Sequence, residues 1–488
     1  MLGQQPIPTP ELDFLPIGPE IALAGGAMVL MLVEAGFRRV RAEVMLLLTL
    51  AVLAAAAAFS LVLWRWDGEP TVLGGMVAAD RFSVLIRLVL VSTAAVGAVY
   101  GFHQYDRAGE RRLEFFPLLL LATSGMTLIA AASNLIVTFL ALEILSLSLY
   151  VMTGLSWRAT ATEASMKYFL LGAFSSAFFL YGLALAYGAA GTTDIGGIAL
   201  ALAGETGGTL ALGLAAAGFL AVGFAFKVAA VPFHMWTPDV YQGAPTATVA
   251  FMSAATKVAA FAALIRVFDV AFLPLAWDWT PFVWGLAAVT MVLGSLLAIA
   301  QTDIKRMLAY SSIAHAGFIL TGLTAANQDG ISAAVFYLVA YATMIVGAFG
   351  VVMLVSGDRD DRTSLPSYAG LAARSPLLAA LLSLFLLSLA GIPPAAGFIA
   401  KVSVFRAAVQ AGHTPLVIVA VLASVVAAFF YLRVIVLMYM QDPEEELQPD
   451  RSPVPTVAAA VPAILTLLFG VFPGLVYGFL DTASVFTW

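Results

Sequence analysis

Four of the five lysines in this sequence, Lys167, Lys227, Lys257 and Lys401, lie within or at the edge of long apolar stretches. A lysine at the centre of a membrane helix costs about 2.5–3.5 kcal/mol on insertion scales, so such residues are rare and face a polar interior or a functional path. Glu143 lies in a comparable stretch, SNLIVTFLALEILSLSLYVM, with Ser146 and Tyr150 on the same helical face at i+3 and i+7. His315 is the one histidine placed mid-stretch, in LAYSSIAHAGFIL. Ammonium, carboxyl and imidazole groups strung through apolar sequence can carry protons or cations, and imidazole titrates in the range that suits a relay. The plainer reading of each group is structural. Glu143, Lys257 and Lys401 could be ion pairs that fix helix packing, Lys227 could cap loose carbonyls, and His315 could hydrogen-bond a neighbouring helix. Lys167 is close enough to a span end to snorkel.

The rest of the composition narrows the chemistry. Of 488 residues, 62% are hydrophobic and 11% charged, against about 25% charged in soluble domains. This is the balance of a polytopic membrane protein. There is no cysteine, which excludes disulfides, thiolate-held iron–sulfur clusters and c-type haem attachment. No GxGxxG or Walker-type run is present, so no nucleotide site is visible, and nothing suggests a nucleic-acid partner. His103, His234 and His413 map to span ends or loops, which argues against haem ligation. The N-terminal MLGQQPIPTPELDFLP lacks the basic region of a signal peptide, so insertion through an uncleaved first helix is expected.

Fourteen apolar stretches can position these groups: 17–36, 43–64, 81–102, 113–132, 134–156, 164–188, 209–242, 245–269, 281–301, 305–325, 331–355, 376–411, 415–440 and 454–480. The odd-numbered loops carry thirteen Lys and Arg, from Arg38 to Arg451, and the even ones three, Arg65, Arg81 and Arg266. The positive-inside rule then puts the odd loops in the cytoplasm and both termini outside. Arg87, Arg406 and Arg433 read as fixed charges near an interface. Glu34 is open between subunit contact and channel use, and the loop DPEEELQPD reads as solvated or as a docking surface.

Two stretches are interrupted by proline, at Pro232 just after Lys227 and at Pro393–Pro394 just before Lys401. A broken helix at membrane depth is tolerated only beside protein or water, and paired breaks mark the central site of an inverted-repeat transporter. Glu143 and His315 are 172 residues apart, Lys227 and Lys401 174, and Lys257 and Arg433 176, close to a single offset. The expected fold is an all-α polytopic membrane protein of about fourteen transmembrane helices, with two inverted five-helix repeats, each containing a broken helix. The expected division is a three-helix segment at 1–112, repeats at 113–270 and 271–440, and a cytoplasmic loop with the last span at 441–488.

The run KVAAVPFHMWTPDVYQGAPT, from Lys227 to Thr246, resembles the signature of the antiporter-like subunits of respiratory complex I and of multisubunit cation/proton antiporters. The resemblance extends from about residue 113 to 440, through QTDIKRMLAYSSIAHAG and LAGIPPAAGFIAK. It implies that Glu143, Lys227, Lys257 and Lys401 form a proton axis, with Lys167 and His315 as candidate relay groups. It implies no cofactor in this chain: NADH, FMN, iron–sulfur clusters and quinone would reside in partner subunits. The implied partners are the other membrane-arm subunits, including neighbouring antiporter-like ones, and the lipid bilayer of the bacterial inner membrane. The length leaves no room for the long lateral helix of the largest such subunit, and Lys401 stands where the middle one tends to have glutamate. In the expected mechanism a Glu143–Lys227 pair holds the lysine protonated, and parting the pair sends the proton on towards Lys257 and Lys401. The alternatives are a subunit of a sodium/proton antiporter and a structural membrane-arm subunit whose charges only fix packing.

Overall fold

The computed structural model describes residues 13–37, 40–66, 68–357, 360–442, 449–450 and 452–482. Arg38, Arg39, Arg359 and Arg451, which enter the loop-charge count, and most of the DPEEELQPD loop lie outside the described residues. Helices occupy every one of the fourteen apolar stretches. The first three are α1 (Gly18–Gly36), α2 (Ala42–Leu63) and α3 (Arg81–Arg107). Between α2 and α3 a small antiparallel hairpin, β1 (Thr71–Val72) and β2 (Val77–Ala78), pairs Thr71 with Ala78. The next group is α4 (Phe115–Ala131), α5 (Leu135–Thr153), α6 (Ala159–Ala190), α7 (Ile195–Leu202), α8 (Gly208–Val228), α9 (Trp236–Gly243) and α10 (Thr246–Arg266). Then come α11 (Ala276–Ile299), α12 (Ile304–Leu323), α13 (Gln328–Val355), α14 (Leu371–Arg374), α15 (Pro376–Ala390), α16 (Ala396–Gln410) and α17 (Thr414–Met440). The chain closes with α18 (Pro453–Val471) and α19 (Gly474–Thr482). Among the described residues eleven helical segments are long and apolar enough to cross a membrane, while α4 and α15 are shorter apolar helices.

The arrangement follows from which helices can afford lipid. Exposed Leu, Val and Phe side chains stud α2, α6 and α17, for example Leu47, Phe174 and Val425, an exposure that suits hydrocarbon rather than water. By contrast all 21 residues of α10 are buried, and α13 packs along it. These two helices form the centre, flanked by α3, α4, α8, α12 and α16. Polar N-caps fix several starts: Asp80 accepts from Ser83 N at 2.7 Å, Asp303 from Arg306 N at 2.9 Å and Asn327 from Gly330 N at 2.9 Å.

Both proline breaks are real. The path from α8 to α9 turns at Ala229, in the left-handed region at φ +62°, and that from α15 to α16 turns at Gly391, at φ +87°. The short α7 was not foreseen: it lies in the connection between the sixth and seventh stretches, capped by Asp194 on Gly197 N at 2.6 Å.

Several charges read as interfacial are in fact core ion pairs. Arg87 is fully buried, not snorkelling, and its Nε and Nη2 donate to the two oxygens of Glu20 at 2.9 and 3.1 Å. Arg266, counted among loop charges, is buried at the end of α10 and makes a two-pronged pair with Asp80 at 2.7 and 3.0 Å. Removing one partner of such a pair costs about 3–5 kcal/mol, because the other charge is left uncompensated. Arg433 is exposed and donates to the Ile299 carbonyl at 3.2 Å, so it does not share the buried setting of Lys257 that the offset suggested.

Candidate functional site

At the first break, Lys227 is one residue from the end of α8 and 3% exposed. Its ammonium donates to Ser146 Oγ on α5 at 2.7 Å and lies 5.4–5.5 Å from the rings of Tyr150 and Tyr168. Ser146 in turn donates to the carbonyl of Leu142. Glu143 and Lys227 are not within ion-pair distance, which is the parted arrangement of the expected mechanism; the half-buried carboxylate accepts from Ser176 on α6. The plainer reading of Lys227, a cap on loose carbonyls of its own helix, does not hold. The Phe226 carbonyl is taken by the Trp236 indole at 2.9 Å, and the Ala225 carbonyl by Ala230 N at 2.8 Å. Trp236 also stacks on Tyr168 with centroids 4.5 Å apart, which locks α9 against α6.

The central group is built around one turn of α12. Lys257, 2% exposed in the middle of α10, donates to the Ser312 carbonyl and lies 5.3 Å from the Tyr341 ring. Tyr341 of α13 donates to Ser312 Oγ at 2.8 Å. His315, one turn on, is bonded through Nδ1 to the Tyr337 hydroxyl at 2.7 Å and through Nε2 to the Tyr431 hydroxyl at 3.2 Å, and Tyr431 also meets Ser311. The imidazole therefore joins α12 to α13 and α17. These tyrosines were missed from sequence. Tyr337 and Tyr341, at i and i+4 in an apolar helix, look like ordinary core aromatics.

At the second break Lys401, 4% exposed on α16, donates to the Ala390 carbonyl at 2.9 Å and to Ser424 Oγ of α17 at 2.7 Å. It thus caps the end of α15, where the helix dipole is negative. Two glycines make room for this. A Cβ on Gly391 would meet Lys401 Cδ at 2.9 Å, and one on Gly397 would sit 1.9 Å from the Ser388 carbonyl oxygen. Lys401 lies 4.8 Å from the Phe318 ring, which contacts His315 at 5.8 Å. Lys257, Tyr341, His315, Phe318 and Lys401 are consequently contiguous. Among the described residues no hydrogen bond links Lys227 directly to Lys257.

Lys167 is apart from these groups. Its side chain is 42% exposed and bridges Glu163 and Asp239, each at 2.8 Å, while Asp239 also pairs with Arg306 at 2.7 Å. It borders a surface cavity of about 620 Å³ whose wall includes Asp239 and Asp360.

The fifth lysine, Lys305, counted as a loop charge, is fully buried. It donates to the Ala244 carbonyl at 2.7 Å and pairs with Asp360 at 3.4 Å. Asp360 also accepts from Arg158 Nη2 at 3.1 Å, Ser356 Oγ at 3.0 Å and Thr246 N at 3.0 Å, the first residue of α10. A carboxylate 114 residues away thereby caps the helix that carries Lys257. Burial would raise the Asp360 carboxyl, but Lys305 and Arg158 with these hydrogen bonds hold it below its ordinary value.

A division among the buried cations follows. Arg87, Arg266 and Lys305 each have a carboxylate within 4 Å. Lys227, Lys257 and Lys401 have none among the described residues, only neutral hydroxyls and carbonyls. Deprotonating a cation paired to a buried carboxylate would leave that carboxylate uncompensated. An ammonium held by neutral acceptors in a low-dielectric interior can give up its proton without orphaning a carboxylate.

A sequence model of the family described as NADH:quinone oxidoreductase/Mrp antiporter, transmembrane, matches residues 132–427. NADH-quinone oxidoreductase subunit N of Acidothermus cellulolyticus is 45% identical, with 98% of each chain covered. A chain of respiratory complex I from Thermus thermophilus matches with a TM-score of 0.79 at 37% identity, covering 94% of this chain and 98% of that one. A chain of the Mrp complex from Dietzia sp. shares the fold at a TM-score of 0.84 and 23% identity, covering 96% and 97%.

Proposed function

The chain belongs to the family of NADH-quinone oxidoreductase subunit N, and we propose that it translocates protons across the bacterial inner membrane as a membrane-arm subunit of that enzyme. The driving energy comes from NADH oxidation and quinone reduction in other subunits, which hold the FMN, iron–sulfur clusters and quinone. Neighbouring antiporter-like subunits and lipid are its partners. Moving one charge against 100 mV costs about 2.3 kcal/mol, so the path must be coupled to that external chemistry.

The observation that carries this reading is the separation of carboxylate-paired cations from the three lysines held by neutral acceptors. In the proposed cycle the proton passes along Lys227, Lys257 and Lys401, with Glu143 setting the charge state of Lys227 by pairing with it and parting from it. His315 relays between Lys257 and Lys401, and Lys167 gathers protons at the surface cavity. We assign the path to two units of opposite topology, 113–270 and 271–440, with 1–112 and 441–488 outside them. The broken helices α8–α9 and α15–α16 support that division. The odd loops are assigned to the cytoplasm and both termini to the periplasm, on the loop charges.

The test is NADH-driven acidification of inverted membrane vesicles containing Lys227→Ala or Glu143→Ala. The expected result is loss of pumping in an assembled complex; full pumping in that complex would refute the assigned roles. Sodium-dependent, NADH-independent proton exchange would select instead the antiporter reading, which the shared fold with the Mrp chain keeps in view.

A further inference from the structure

The short helix α9 stands between the first break and the central group. It packs against α6 on one side and α12 on the other, so a proton going from Lys227 to Lys257 has this helix to pass. The residues it offers there are hydroxylic. Thr237 and Tyr241, four apart, share one face of α9 and are 0% and 2% exposed. The Tyr241 hydroxyl is directed at Ser312 of α12, whose Oγ accepts from Tyr341 and whose carbonyl accepts from Lys257. On the near side Tyr168 of α6, fully buried, has its ring 5.4 Å from the Lys227 ammonium and interacts electrostatically with Tyr241.

Packing accounts for the rings but not for the oxygens. Tyr168 stacks on Trp236 with centroids 4.5 Å apart, and Tyr241 meets Phe349 edge-on at 5.9 Å. Phenylalanine would make both contacts equally well. The hydroxyls of Tyr150, Tyr168 and Thr237 are nevertheless buried with no hydrogen-bond partner among the described residues. A buried hydroxyl left unpaired is costly. Groups of this kind are where proteins hold ordered water, which makes about three hydrogen bonds to otherwise unsatisfied polar atoms.

Resting on the proton path proposed above, we infer that the hydroxyls of Tyr168, Thr237 and Tyr241, joined by bound water, carry the proton from Lys227 through Ser312 to Lys257. Each oxygen accepts one proton and releases its own to the next oxygen in line. Lys227 ends as the neutral amine and Lys257 as the ammonium, and every hydroxyl is restored with its bond reversed. No phenol has to ionise, and no oxidant or reductant is consumed.

Inverted vesicles containing the assembled complex test this. Tyr168→Phe and Tyr241→Phe keep the rings and remove the hydroxyls. NADH-driven acidification should fall several-fold in each, and its solvent deuterium isotope effect should rise, because proton transfer past α9 becomes the slow step. Full pumping in both variants, or slower pumping with an unchanged isotope effect, overturns the inference in favour of packing alone. Lys227→Ala separates the relay from the path it serves. If that variant pumps fully, the proton-path reading itself fails. If it does not pump while both phenylalanine variants pump fully, the reading stands and the relay alone falls. The unmodified complex gives a check that needs no variant to assemble. Electron cryomicroscopy should show water within about 3.2 Å of the Tyr168 and Thr237 oxygens, and a dry site in a map that shows water elsewhere in the chain overturns the inference.

Discussion

Lys227 donates to Ser146 at 2.7 Å, and Ser146 stands one turn along α5 from Glu143. The serine hydroxyl is therefore the contact through which α5 holds the ammonium, with the carboxylate turned to Ser176 on α6. A shift of either helix that brings Glu143 to Lys227 would exchange a neutral acceptor for a charged one.

Ser146→Ala leaves the shape of this contact but removes the acceptor. A hydrogen bond to a charged group is worth about 1.5–3 kcal/mol, so NADH-driven pumping should fall by about tenfold or more in an assembled complex. Ser146→Thr, which keeps the hydroxyl, should retain most of it. Vesicle acidification measured beside NADH oxidation checks both.

Gly397→Ala tests the second break. The added methyl would lie 1.9 Å from the Ser388 carbonyl oxygen, so α16 must move away from α15 and take Lys401 off the Ala390 carbonyl. Overpacking of this kind costs about 1–3 kcal/mol. A lowered Tm of the purified complex together with reduced pumping is expected, whereas Gly188→Ala, where a Cβ meets nothing within 4 Å, should be silent in both measurements.

Tyr431→Phe removes the hydroxyl shared by Ser311 and His315. If the imidazole relays between Lys257 and Lys401, pumping should drop several-fold while assembly and NADH oxidation by the redox subunits are preserved. Combining it with His315→Ala should add little, because the two residues act in one network. Additive losses would separate them.

Asp360 gives a pH dependence with a definite sign. Its carboxyl is held below the ordinary carboxylate value, so its contribution to stability is fully present above about pH 4 and is lost as the pH falls through its lower native value. Amide exchange at the start of α10 should stay slow from neutral pH down to about 5 and rise only on stronger acidification. Asp360→Asn should open the same amides at pH 7, at a cost of about 3–5 kcal/mol for leaving Lys305 and Arg158 uncompensated.

The buried lysines, the helical apolar stretches and the two breaks were legible because each rests on local signals: apolar length, charge within it, and proline. What escaped the sequence is what the fold assembles from a distance. Lys305 looks like any loop charge until Asp360, 55 residues away, is brought against it, and Arg87 looks interfacial until Glu20 meets it. The helix α7 was hidden by its Gly- and Ala-rich setting between longer apolar runs. Carbonyl capping, the plainer reading of Lys227, is found instead at Lys401, because the Trp236 indole takes the Phe226 carbonyl at the first break.

Residues 311–315 of α12 gather the hydrogen bonds of Lys257, Tyr341, Tyr337 and Tyr431, which come from three other helices. Such a turn behaves as a single latch. Advancing α12 by one residue is a slide of about 1.5 Å and a rotation of about 100°, enough to release every one of those bonds in the same motion. A slide of α12 would therefore act on the contacts of three helices together rather than one at a time.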